Sequence, residues 1–173
     1  MHNFDLLNSI LIGGVVLLAS MGLFLYFSNY SQTTVSHELT QKNITEVGEV
    51  LDHDFNKLGY RVATSPKIVS IDSTEICFLS DLNNDGTVDS VNYFHRYSET
   101  DTNIVRRVSF GVQKEWEMGI QKFYVAGLDS INNITYDVSH IRSLFVKLYL
   151  NSKTISGEKV GSFWEKRFIL RNL

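Results

Sequence analysis

The chain has 173 residues, 43% of them apolar, and a formal net charge of −3. This length supports one domain with a modest core, and the slightly negative charge, with isolated basic pairs only, argues against a nucleic-acid partner. Cys77 is the single cysteine, so an internal disulfide is excluded.

The N-terminal segment is a predicted membrane helix. Residues 6–27 read LLNSILIGGVVLLASMGLFLYF and contain no charged side chain. At about 1.5 Å per residue this stretch covers roughly 33 Å, enough to cross the hydrocarbon layer of a bilayer. The start MHNFD lacks Lys and Arg and carries an acid, unlike a cleaved secretory signal. We therefore expect a retained, single membrane span.

The helix is predicted to continue beyond the apolar stretch. A row of every fourth residue is apolar at Val35, Leu39, Val47, Leu51 and Phe55, with Asn43 its only polar member, and Ile44, Val50 and Leu58 widen this stripe. No proline interrupts residues 1–65, and Gly59 suits a C-terminal cap. We predict one helix from about residue 5 to residue 58, with a transmembrane half (1–30) and an amphipathic half (31–60) that supports a sheet.

Beyond Pro66 the apolar pattern changes to a period of two, which indicates strands. Strands are predicted at 67–71, 75–79, 89–97, 103–112, 121–126, 141–150 and 162–173. Turn-forming residues separate them without intervening helices, so residues 61–173 are expected to form an antiparallel sheet with one covered face. The predicted fold class is α+β, a long N-terminal helix packed on an antiparallel β-sheet.

The segment 81–90, DLNNDGTVDS, carries oxygen-bearing side chains at alternate positions, namely Asp81, Asn83, Asp85, Thr87 and Asp89. This spacing matches the ligand positions of a calcium-binding EF-hand loop, except that position 12 is Asn92 instead of an acid. The flanks also read as strands, whereas an EF-hand loop joins two helices. The alternative is an Asx-rich hairpin loop, in which Asp and Asn cap their own backbone and Gly86 supplies a positive φ. We favour the hairpin loop and keep calcium as the alternative ligand.

Several strings of the sequence, in order, resemble those of one known superfamily. The first is DLLNSILIGGVVLLA, and LDHDFNKLGYRV, ICFLSDLNNDGTVDSVNYF, IRSLFVKLYL and RFILRNL follow. They resemble the start, helix end, acidic turn between strands, and last strands of type IV pilins and type II secretion pseudopilins. The similarity covers nearly the whole chain and is greatest to J-type minor pseudopilins and W-type minor pilins. The start MHNF departs from the basic leader that a prepilin peptidase usually cuts before a Phe.

The resemblance implies a structural role and no enzymatic activity. It implies a single-pass protein of the bacterial inner membrane, with its C-terminal domain outside the cytoplasm, that joins other pilin-like subunits through its N-terminal helix. Such a minor subunit initiates or caps a pilus-like or secretion filament. Asp5 matches the acid that, in pilins, meets the free amine of a neighbouring subunit, because a carboxylate in apolar surroundings is costly unless it is paired. A second interpretation places Asp5 among lipid headgroups.

No catalytic motif stands out in the sequence. The acids and histidine at 52–54 are expected on the solvated surface of the helix, where adjacent residues do not share a face. Two functions outside the filament class are kept as alternatives. One is a membrane-anchored, calcium-dependent binding module that does not polymerise. The other is a tethered enzyme whose site would gather Cys77, His95 or His140.

Overall fold

The computed structural model describes residues 2–97, 102–110, 112–117, 120–153, 157 and 159–172. Its first element is the helix α1 (His2–Asn56), which confirms the predicted long helix and ends two residues before the expected position. Gly59 lies in the turn that follows, at φ 75°, where glycine is favoured. A Cβ atom at Gly59 would lie 2.7 Å from the backbone oxygen of Asn172, so a larger residue is excluded at this turn.

Nine strands follow α1 within the described part of the chain. They are β1 (Ile68–Asp72), β2 (Glu75–Ser80), β3 (Asp89–Tyr97), β4 (Thr102–Phe110), β5 (Val112–Glu117), β6 (Lys122–Leu128), β7 (Ile134–Thr135), β8 (Ser143–Lys153) and β9 (Lys159–Ile169). Seven of these strands correspond to the segments predicted from the period-two pattern. The short strand β7 was not predicted, and the strand predicted at 103–112 is divided, because β4 ends at Phe110 and β5 begins at Val112.

The strands form two antiparallel sheets, whereas the sequence predicted one. The first sheet has the order β1-β2-β3-β4-β5, and the second has the order β7-β6-β8-β9. Consecutive strands pair throughout the first sheet, but β8 pairs with β6 on one side and with β9 on the other. The single-sheet expectation was wrong because the period-two pattern shows that a segment is a strand without showing which strand it pairs with.

The second half of α1 packs on β8 and β9 and closes the core shared by the two sheets. Phe55 lies at the centre of this contact. Its ring meets Phe78 and Tyr93 of the first sheet at centroid distances of 5.5 Å, and Phe168 of β9 at 5.1 Å, all edge to face. Such pairs are each worth about 0.5–1.5 kcal/mol beyond the buried area. The prediction that the amphipathic half supports a sheet is therefore confirmed, although the helix touches both sheets.

The membrane-proximal part of the predicted stripe does not face the sheets. Val35 and Leu39 are 48% and 55% exposed, and Val50 is 38% exposed, whereas Ile44 and Leu51 are buried. Four residues turn an α-helix by about 40° more than one full turn, so a row of every fourth residue drifts around the helix axis. After five such steps the row has rotated by roughly 200°, and its two ends lie on opposite faces. The expectation that Val35 and Leu39 support the sheet was wrong for this reason.

Candidate functional site

The first half of α1 projects from the domain as an uncovered apolar rod. Among the described residues, α1 is the one helix long and apolar enough to cross a membrane, and none of its most apolar window is buried. The hydroxyls of Ser9 and Ser20 donate to the backbone oxygens of Asp5 and Val16, each at 2.8 Å. These side chains therefore satisfy their hydrogen-bonding groups inside the helix itself, as a lipid environment requires.

Asp5 lies in the first turn of this rod. Its side chain is exposed, and it makes no ion pair with any residue of the described ranges. The rest of the apolar window carries no charge, so Asp5 is the one acid that would enter the membrane edge with this helix. An acid at the N-terminal end of a helix is favoured by the helix dipole, and in a bilayer it needs a polar or cationic partner from outside the chain.

The acidic segment forms the loop between β2 and β3. This confirms the predicted order of a strand, a turn and a second strand. Ser80 and Asp89 pair across its base. Gly86 has φ 88° and Asn84 has φ 62°, which are conformations that Gly and Asn tolerate. The prediction of a positive φ at Gly86 is confirmed.

Three side chains at the tip of this loop bind one another and the loop backbone. Asn83 Nδ2 donates to Asp85 Oδ2 at 2.7 Å, and the Asp85 backbone N–H donates to Asn83 Oδ1 at 3.1 Å. Asp85 Oδ1 accepts from the Thr87 backbone N–H at 2.7 Å and from the Thr87 hydroxyl. Bonds from Thr87, then from Asn83, lower the pKa of Asp85 below its ordinary value. This arrangement is an Asx-rich turn, as the favoured interpretation predicted.

Asp81 and Asp89 lie at the buried base of the loop. Asp81 Oδ2 accepts from Arg61 Nη1 at 3.2 Å and from the Gly86 N–H at 3.1 Å, while Asp81 Oδ1 is buried without a partner among the described residues. Asp89 Oδ2 accepts from the Leu82 N–H at 3.3 Å. Burial raises the pKa of the Asp89 carboxyl, and the charges of Asp85 and Asp81 raise it further.

The loop therefore meets the requirements of a calcium site only in part. The buried Asp81 Oδ1 is a free oxygen ligand of the kind that Ca²⁺ prefers. The oxygens of Asp85, in contrast, are used by the loop itself. Within the described ranges, no group of three or more His, Cys, Asp or Glu side chains is arranged to hold a metal ion.

A buried charged cluster joins the end of α1 to the first sheet. Asp54 is fully buried, and its Oδ2 accepts hydrogen bonds from the Tyr93 hydroxyl of β3 and from Arg106 Nε of β4, both at 2.6 Å. Burial, and then the charge of Asp54, raise the pKa of Tyr93 well above its ordinary value, so the phenol remains a hydrogen-bond donor. The expectation that residue 54 faces solvent was wrong.

The spacing of Asp54 from the apolar residues of α1 predicts that this acid is buried. Asp54 follows Val47 by seven residues and Leu51 by three, which places all three on one helix face. Asp52 lies nearly opposite Asp54 and is paired with Lys166 at the surface. The charge of Asp54 suggested solvent, but its position in the apolar stripe indicated the interior.

The three side chains proposed for an enzymatic site each have a different neighbour. Cys77 Sγ lies 3.6 Å from Ser90 Oγ, and His140 Nδ1 lies 2.9 Å from Asp137 Oδ2. His95 Nε2 accepts from the Phe123 backbone N–H at 3.2 Å, and burial lowers the pKa of His95. None of these three contacts joins Cys77 to either histidine.

Comparison of the chain with protein-family models, with curated proteins and with solved structures found no match. A function is therefore inferred from three features of this chain alone. They are the apolar rod with Asp5, the acidic loop, and the domain that α1 carries.

Proposed function

We propose that this chain is a minor pilin-like subunit that helps to initiate or cap a type IV pilus-like or type II secretion filament. The observation that carries the proposal is the division of α1 into two parts. The first part exposes an apolar surface with one acid at its start, and the second part is fixed to the antiparallel sheets. The exposed part would span the bacterial inner membrane, with the domain outside the cytoplasm, before it packs against the helices of other pilin-like subunits.

Asp5 gives this proposal a specific chemical step. An unpaired carboxylate is strongly disfavoured in an apolar helix bundle, so it would direct each subunit to the height at which a cation of its neighbour meets it. The amphipathic face that remains exposed, including Val35 and Leu39, continues the apolar surface beyond the membrane half. Both features favour assembly through the helix over a helix that serves only as an anchor.

The test is to replace Asp5 by Ala in the cells that produce this chain, with Asn8→Ala as the matched control in the same helical turn. We expect Asp5→Ala to abolish crosslinks to other pilin-like subunits and filament assembly, while membrane insertion and expression stay normal. Asp5→Glu should restore both, because it restores the carboxylate. Unchanged assembly in Asp5→Ala, or the lack of any pilin-like partner in wild-type cells, would refute the filament proposal.

A membrane-anchored, calcium-dependent binding module is the second candidate, and the buried Asp81 Oδ1 without a partner is the observation that favours it. This candidate reverses the expected outcome in the same cells. Asp5→Ala would be harmless, whereas Asp81→Asn, which removes the charge of the carboxylate with the unpartnered oxygen, would abolish calcium-dependent binding by the domain. The two candidates are thereby separated by one set of variants.

A further inference from the structure

A small cavity lies at the end of the domain that is remote from the apolar half of α1. Its volume is about 190 Å³, and its walls are residues 65–68 on one side and Val138, Ser139 and Arg142 on the other. Lys67 Nζ donates to the backbone oxygen of Asn172, whose Nδ2 donates to the Leu58 oxygen at 3.3 Å. These bonds fix the cavity next to the turn in which α1 ends.

Two cationic side chains line this cavity without an acidic partner among the described residues. Lys67 is half-buried, and its one hydrogen bond goes to the Asn172 carbonyl. Arg142 Nη1 donates to the Ser139 oxygen at 3.3 Å and to the Ile141 oxygen at 3.0 Å. Carbonyl oxygens hold the half-buried Lys67 and the exposed Arg142 in place, but no described acid pairs with either charge, and two like charges at one small cavity repel each other.

Asp137, which precedes the wall residue Val138 in the chain, is engaged within its own turn. Asp137 Oδ1 accepts from the Ser139 N–H at 3.0 Å and from its hydroxyl at 2.7 Å, and Asp137 Oδ2 lies 2.9 Å from His140 Nδ1. These bonds, with Ser139 contributing most, lower the pKa of Asp137 to about 2. The carboxylate is therefore charged but turned toward partners within its own turn.

We propose that this cavity binds a small oxyanion, a carboxylate or a phosphate group of a ligand. Arg142 Nε and Nη2 form no hydrogen bond with a described residue, and together they present the two-pronged donor that matches two oxygens of such a group. Lys67 Nζ retains two further N–H donors, and the exposed Ser65 hydroxyl adds another on the same wall as Lys67. The oxyanion supplies the negative charge that the walls lack. The site lies at the far end of the domain, so membrane insertion leaves it accessible.

The test uses the full chain in detergent micelles and two probes, inorganic phosphate and acetate, titrated by calorimetry at constant ionic strength. We expect one saturable site per chain, with affinity at least about tenfold weaker in Arg142→Gln, since a charge-assisted hydrogen bond is lost. The affinity of Arg142→Lys should lie between those of the wild type and Arg142→Gln, because lysine keeps the positive charge but lacks the paired N–H donors. Tighter binding of phosphate would identify a phosphate-bearing ligand, and tighter binding of acetate a carboxylate-bearing one.

Lys147→Gln is the matched control, because it removes one positive charge from an exposed ion pair with Glu165 on the second sheet. Its affinity for both probes should equal that of the wild type. Lys67→Gln is a second variant in the cavity, for use if Arg142→Gln prevents folding. The absence of saturable binding to the wild type, or equal weakening by Lys147→Gln, would overturn the proposal.

Discussion

Asp54 is a charged residue of α1 that points into the domain, where a hydroxyl of β3 and a guanidinium group of β4 meet its carboxylate. A carboxylate removed from water loses several kcal/mol of solvation, and this ion pair with its additional hydrogen bond offsets that loss. The cluster therefore specifies how the end of the helix sits on the first sheet. It adds a directional contact to an interface that is otherwise made of apolar side chains.

We predict that Asp54→Ala lowers the free energy of unfolding by about 3–5 kcal/mol, because it removes the buried carboxylate to which Tyr93 and Arg106 both donate. Tyr93→Phe should cost less, about 1–2 kcal/mol, since it removes no charge and only the hydroxyl that donates to Asp54 and accepts from Arg106 Nε. The measurement is urea unfolding of the full chain in micelles, followed by circular dichroism.

The neighbouring acid Asp52 is the control for this prediction. It pairs with Lys166 at the surface, where both side chains are partly exposed, and such pairs contribute about 1 kcal/mol or less. Asp52→Ala should therefore leave the unfolding midpoint nearly unchanged. Equal losses of unfolding free energy in Asp52→Ala and Asp54→Ala would show that the buried cluster stabilises the domain no more than the surface ion pair does.

At the scale of elements, Gly48 sets the distance between α1 and β9. A Cβ atom added there would lie 2.6 Å from Trp164 Nε1 and 2.7 Å from Trp164 Cε2, closer than van der Waals contact allows. The indole ring lies over this glycine and also packs near Phe168, with ring centroids 6.3 Å apart. The absence of a side chain at position 48 thus allows the helix to lie close to the strand.

We predict that Gly48→Ala destabilises the domain by about 1–3 kcal/mol, the usual cost of overpacking a core. The direction of the stability change is informative, because Gly→Ala inside a helix ordinarily stabilises a protein by about 1 kcal/mol. Gly22→Ala is the matched control, since a Cβ there meets nothing within 4 Å. Thermal unfolding of both variants measures the difference, and stabilisation by Gly48→Ala would contradict the described packing.

Much of the element order could be predicted from the sequence, for physical reasons. The period of two marked β8, in which Leu144, Val146 and Leu148 are buried on one face. The period of four indicates α1 but does not give its buried face near residue 35, because a row of every fourth residue rotates around the helix axis. The division into two sheets could not be predicted, since strand pairing depends on contacts between residues far apart in the chain.

The candidate sites also differ in how far they could be predicted from the sequence. The acidic loop was recognised because its residues are adjacent in sequence, and its self-bonded turn follows from the chemistry of Asp and Asn. The cavity beside Lys67 and Arg142 was not recognised, because 75 positions separate these residues and only the folded chain brings their loops together. Asp5 was singled out by resemblance and by its apolar surroundings, and its partner in assembly stays a prediction.

At the scale of the whole molecule, the domain and the apolar half of α1 are energetically separate. Residues 4–30 bury little or none of their surface in the domain, whereas Thr40 and Ile44 are the first fully enclosed positions along the helix. The folded domain therefore gains its stability from residues beyond about 39. The apolar half depends on a bilayer or on other helices for its own solvation.

We predict that a fragment of residues 31–173 is soluble without detergent and unfolds at the same urea midpoint as the full chain. A fragment of residues 46–173 is the control, because it removes the enclosed Thr40 and Ile44 and should lose about 2–5 kcal/mol. Both are measured by urea unfolding in the same buffer. Failure of the longer fragment to fold would show that the apolar half contributes to the domain.

The unbroken course of α1 from His2 to Asn56 has a mechanical consequence. A helix of this length is about 80 Å long and bends little without a proline or another interruption. In a subunit anchored as we propose, α1 would act as a lever, so that a change of about 10° in its tilt within a bilayer would carry its C-terminal end sideways by roughly 14 Å. The acidic loop and the cavity beside Lys67 and Arg142 lie near that end and would move with it. Small changes of helix tilt would thus become large displacements of this end of the domain.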